Sequence, residues 1–130
     1  AAVFEVLQEL CRFYKKAFGR IVNRHLATPP QITGLTFGID RGSVRGLTMY
    51  GQSEYIGRAI NVACRLQAAI RDKDRNPGYK ALVSNAAYNH YFRTASKKVK
   101  VSRAKRKLRN IRSGSDFQCK KIEFLNALAT

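Results

Sequence analysis

The chain has 130 residues, 45% of them hydrophobic, enough to bury one core and too few for two domains of ordinary size. Twenty-five Lys and Arg stand against eight Asp and Glu, a net charge of +17, so the chain's field is expected to attract polyanions. No apolar run approaches the roughly 20 residues that span a bilayer and no signal peptide is visible, so a secreted or membrane-embedded role is not expected.

Val3, Leu7, Leu10, Tyr14, Ala17 and Ile21 recur at helical spacing and predict a first helix to about Leu26, stopped by Pro29-Pro30. Leu35, Phe37 and Ile39 alternate, followed more loosely by Val44, Leu47 and Met49, which predicts a hairpin with glycines at its bends. Tyr55 to Ile70 reads as a turn opening an amphipathic helix from about Arg58 to Arg71, with Ile60, Ala63, Cys64 and Ile70 as its apolar stripe. Asp72 to Tyr79, with Pro77-Gly78, is a turn-rich loop, and Lys80 to Val83 a short strand. Ser84 caps a helix through about Phe92. Lys98 to Ser102 alternates basic with apolar residues. Arg106 to Ile111 and Phe117 to Phe124 then flank a hairpin turn at Ser113 to Asp116.

Cys11, Cys64 and Cys119 are odd in number and widely spaced, which points to free thiols in a reducing cytoplasm. His25 and His90 pair with no cysteine at ligand spacing, so no transition-metal site is expected. The positive charge is concentrated: no acid occurs between Asp74 and Asp116, and Lys97 to Arg112 holds nine basic residues. Such a segment reads as a solvated sheet face or as an electrostatic footprint for a polyanion, nucleic acid included.

Within the second helix Asn61 and Arg65 are four residues apart and leave on one side, one turn from each other. A carboxamide supplies a donor and an acceptor, and a guanidinium a rigid fork of donors, a combination suited to an anionic or charge-separating ligand. Their setting resembles the catalytic domain of class III nucleotidyl cyclases, the adenylyl and guanylyl cyclase family. The resemblance is carried by Gly38-Ile39-Asp40-Arg41-Gly42-Ser43-Val44, by Ser53 to Leu66 with its Asn-Val-Ala-Cys-Arg-Leu core, and by Ala81-Leu82-Val83-Ser84; it extends from about Ala1 to Leu125.

The resemblance implies an α+β, ferredoxin-like core, a mixed and mostly antiparallel sheet with helices packed on one face. It implies conversion of a nucleoside triphosphate to its 3′,5′-cyclic monophosphate and pyrophosphate at a homodimer interface. Asn61 would orient the ribose and Arg65 stabilise charge on the phosphates. Glu54 stands where family members read the base edge, usually with Asp or Cys. A Glu accepts from an exocyclic amine and reaches further, so ATP is favoured, with a pyrimidine nucleotide, as in bacterial antiviral pyrimidine cyclases, as the alternative. Arg109 and Arg112 are the candidates for a basic residue reaching the triphosphate. The Mg2+ or Mn2+ ions of the family are held by two aspartates on a first strand and a following hairpin. Neither segment is recognisable here, so the chain reads as the C-terminal portion of the domain, inactive alone, with its metal ligands expected upstream. Asp40 matches a His or Asn of the family strand and is not assigned to metal. A non-catalytic basic module of the same fold, binding nucleic acid or an acidic partner, is the second reading.

Overall fold

The computed structural model describes residues 2–25, 27, 34–95 and 98–124. A long helix, α1 (Ala2–His25), comes first; Leu26, its expected end, and the Pro29-Pro30 stop lie outside the described residues. Strand β1 (Thr36–Ile39) follows, then β2 (Arg45–Met49), β3 (Gln52–Ile56), helix α2 (Arg58–Ala69) and β4 (Lys80–Ser84). A single helical turn, α3 (Asn85–Ala87), runs on through a π turn at Tyr88–Phe92 and a 3-10 turn at Arg93–Ala95. Ser84 caps it as expected, its hydroxyl accepting from the Ala87 N–H at 3.1 Å. Strands β5 (Val99–Arg106) and β6 (Phe117–Phe124) complete the chain's described elements.

The fold is α+β. Four strands form one sheet in the order β1-β4-β6-β5, with β1 parallel to β4 and the other two pairings antiparallel. The sheet is mixed and mostly antiparallel with helices packed against it, compatible with a ferredoxin-like fold. Period-two alternation along β4 sends Ala81 and Val83 into one apolar cluster with Phe4 and Cys11 of α1, Phe92, Val99, Ile122 and Phe124. Leu82 and Cys119 go to the other, with Val62, Leu66, Ala69 and Ile70 of the α2 region and Leu108. The helices thus divide between the two sides of the sheet, where the resemblance implies one shared face.

Three local expectations are corrected. Residues 36–39 do not turn back on 45–49: β1 is drawn into the main sheet beside β4, Phe37 opposite Ala81. The hairpin is instead β2 with β3, and Tyr55-Ile56, read as part of a turn opening the helix, is the end of a strand. Its two-residue bend, Tyr50-Gly51, has φ of 52° and 76°, the left-handed pair that matches strand twist in a tight hairpin. Second, the buried stripe of α2 is Val62, Leu66 and Ala69, continued by Ile70 past its end; Ile60 and Ala63 are half-buried and Cys64 is exposed. The stripe faces Leu82, Leu108 and Cys119, while Ala63 packs on β1 at Gly38, where a Cβ would collide with the Ala63 carbonyl oxygen. Third, β5 extends to Arg106, and 107–116 is loop rather than a strand and a tight turn. The Arg106 guanidinium ends the strand by turning inward: it is buried, and its Nε donates to the Ala69 carbonyl at the C-terminus of α2, 3.1 Å away.

Candidate functional site: a cleft between α2 and the β5–β6 loop

The loop from Lys107 to Asp116 folds back along the exposed side of α2. Leu108 anchors it in the apolar cluster beneath α2, and the Leu108 N–H donates to the Gly114 carbonyl at 2.7 Å. Gly114 fills a position where a Cβ would meet the Leu108 oxygen at 2.6 Å. At the N-terminal end of the helix, Arg58 Nη2 donates to the Arg112 carbonyl at 3.0 Å. The loop is therefore tied to α2 at both ends, and two adjoining clefts open between them.

The first, of roughly 290 Å³, is lined by Asn61, Cys64, Arg65, Asn110 and Ile111. The second, of roughly 440 Å³, is lined by Arg65, Lys107, Leu108 and Arg109, with Ala68, Ala69 and Asp72 at its other wall. Arg65 is common to both. Asn61 and Arg65 are exposed, and Arg65 enters no ion pair among the described residues. Asn61 thus faces Asn110 and Ile111 of the loop, while Arg65, one turn on, also meets the loop cations Lys107 and Arg109, a setting that attracts phosphate.

Of the residues singled out from sequence, Asn61 and Arg65 line the first cleft and Arg65 and Arg109 the second. Arg112 contributes its carbonyl to the loop's anchorage and lines neither cleft. Glu54 stands on β3, opposite Leu47 on β2, outside both clefts. It makes no ion pair with Arg58 among the described residues, because the Arg58 guanidinium is engaged at Arg112. Asp40 lines a separate cleft with Arg41, Gly42 and Tyr91.

Asn110 and Lys107 were not legible as site residues. Asn110 takes the left-handed conformation at φ 56°, which the short polar side chain of Asn tolerates better than most, and this turns the loop beside Asn61. An Asn inside an otherwise strand-like stretch, between Arg109 and Ile111, is the signal that marks the bend. The three cysteines are free thiols. Burial pushes the Cys11 thiol up to about 11; burial also raises Cys119, against the opposing pull of Arg106 and Lys120. Neither is a nucleophile in this setting. Among the described residues no three of His, Cys, Asp or Glu come together, and the lining of the two clefts, with Asp72 as its one carboxylate, does not fit a divalent cation. No helix among them is long and apolar enough to cross a membrane.

Comparison with protein-family models, with curated proteins and with solved structures returned no match.

Proposed function

We propose that this chain is part of a nucleotidyl cyclase catalytic domain, contributing the transition-state groups for closing a nucleoside triphosphate to its 3′,5′-cyclic monophosphate with release of pyrophosphate. The observation that carries the reading is the convergence of Asn61 and Arg65, one helical turn apart, on clefts walled by Lys107, Arg109 and Asn110. The Asn61 carboxamide orients the ribose, offering a donor to its ring oxygen or an acceptor to a hydroxyl. The Arg65 fork meets charge growing on the α-phosphoryl oxygens as the 3′-oxygen attacks. Lys107 and Arg109 lie where the departing pyrophosphate needs counter-charge.

The β2–β3 hairpin supports a homodimer as the working form. Leu47, Met49, Tyr50, Tyr55 and Ile56 are all exposed on it, Tyr50 fully, an apolar surface that a second subunit would cover. Glu54 sits on that hairpin and in the proposal reads the base. Its carboxylate accepts from an exocyclic amine, so ATP should lead, with CTP or UTP close behind and GTP last. Replacing Glu54 by Ala should reorder the four triphosphates rather than lower all four rates alike, as chromatography of the cyclic products would show.

The deciding experiment uses the complete catalytic domain with manganese and saturating triphosphate. Asn61→Ala and Arg65→Ala should each lower kcat by about 100-fold to 1,000-fold with KM little changed, because both groups act on charge that develops only in the transition state. Rates close to those of the unaltered domain in both variants would overturn the assignment.

A further inference from the structure

Strands β5 and β6 carry a second concentration of cations, on the side of the sheet away from the α2 cleft. Arg103 of β5 lies directly opposite Lys120 of β6, and Lys105 follows on the same side, opposite Gln118. Like charges directly opposite across strands are destabilising. No carboxylate relieves them: Arg103, Lys105 and Lys120 enter no ion pair among the described residues, and the Lys120 ammonium rests 5.9 Å from the centre of the Tyr88 ring. Folding does not account for this arrangement, since neutral residues would serve the sheet better. A bound anion would.

We propose that β5, centred on Arg103, Lys105 and Lys120, binds the phosphate backbone of duplex nucleic acid without reading base sequence. This goes beyond the cyclase reading and does not depend on it. Three observations select the ligand. First, β5 is an edge strand of the four-stranded sheet, so its outer backbone N–H groups face no neighbouring strand among the described residues, and such groups donate to phosphate oxygens. Second, the cluster sits on a long strand, Val99–Arg106, with Arg103 and Lys105 both exposed. Eight residues of strand at about 3.3 Å each extend on the order of 26 Å, a length over which a duplex carries about fifteen phosphates. Third, the large exposed apolar side chains lie on α1 and between Val44 and Ile56, not on β5, so this rim has nothing to insert into a lipid surface. Tyr88 is half-buried beneath Lys120 and offers no free ring for stacking bases, which favours backbone contact over single-strand recognition.

The test measures binding of a fluorescently labelled mixed-sequence duplex DNA of 20 base pairs by anisotropy, from 50 to 200 mM NaCl. Replacing Arg103, Lys105 and Lys120 together by Gln should weaken binding at least tenfold at 100 mM NaCl. It should also flatten the slope of log affinity against log salt by about 2 to 3. Removing an equal charge from α1, by Lys16→Gln, Arg20→Gln and Arg24→Gln, should change affinity less than threefold. Exchanging Arg for Lys and Lys for Arg at the three β5 and β6 positions should keep both affinity and slope, which separates lost charge from lost folding. Equal losses from the two triple-Gln variants would overturn the proposal, as would loss of binding in the charge-keeping variant. Tighter binding to phosphatidylserine vesicles or to polyglutamate than to the duplex would overturn it too.

Discussion

Opposite sides of β6 treat the same charge in opposite ways. On one side Lys121 and Lys80 close on Asp74, Lys80 at 2.9 Å, while Lys80 and Lys100 reach Glu123 at 3.5 and 4.0 Å. Asp74 is additionally held by the Asn76 N–H at 2.9 Å, and its side chain is only 9% exposed. On the other side Lys120 faces Arg103 with no acid near. The first arrangement is what a protein does with charges that it must bury: each is matched, and the turn-rich 72–79 loop is pinned to the sheet as a result. The second withholds acids and leaves positive charge directed at solvent. In a chain of +17 the acids are scarce, and two of the eight, Asp74 and Glu123, serve this one part-buried cluster. The α2 cleft belongs with the second arrangement, since Arg65, Lys107 and Arg109 share it with Asp72 as the one carboxylate in its lining.

If that division is correct, the largest effect on stability comes from the matched side. Asp74→Asn should destabilise by about 3 kcal/mol, because Lys80 and Lys121 would remain part-buried with their main counter-charge gone. The melting temperature should fall by roughly 10–15 °C. The same carboxylate sets an acid limit. Burial by itself would raise its pKa, but Lys121, Lys80 and the Asn76 N–H outweigh that and hold it far below the ordinary carboxylate range. A group lowered by folding contributes its full share above its unfolded pKa of about 3.9 and loses it as the pH falls toward the folded value. Urea denaturation from pH 6 to pH 2.5 should therefore show a decline beginning near pH 4 that is much shallower in Asp74→Asn. An unchanged pH profile in that variant would move the acid limit to another carboxylate.

The smallest effect tests the unmatched side and has the opposite sign. Arg103→Gln should leave stability unchanged or raise it by up to about 0.5 kcal/mol, since it relieves repulsion from Lys120 and breaks no ion pair. A clear loss in the urea midpoint would mean that Arg103 serves the sheet and would erase the contrast between the two sides.

The span of α1, the Ser84 cap and strand β6 were legible because their signals are local. The Val3–Ile21 periodicity, the Ser84 cap and the alternation in Phe117 to Phe124 each rest on neighbours in sequence, and each element stands where those residues place it. The hairpin was misread because alternation alone does not name a partner. Phe37 and Ile39 pair with a strand more than forty residues away, and nothing between 36 and 49 marks that choice. The Tyr50-Gly51 bend carried a usable sign in its glycine, weakened by a Tyr where Asn or Asp is usual.

For the candidate site, helical spacing by itself determined that Asn61 and Arg65 share a side of α2, because four residues make about one turn whatever surrounds them. Composition by itself determined the net charge of +17 and hence the sign of the field around the chain. The tertiary structure alone decided which of the nine cations between Lys97 and Arg112 stand by that pair. Within the segment, Lys107 and Arg109 line the α2 cleft, Arg103 and Lys105 point to the opposite side of the sheet, and Arg106 is buried against the end of α2. The reason is physical: a charge's sign is a property of the residue, but its neighbours are set by strand register and loop closure over long separations in sequence, which no local pattern encodes.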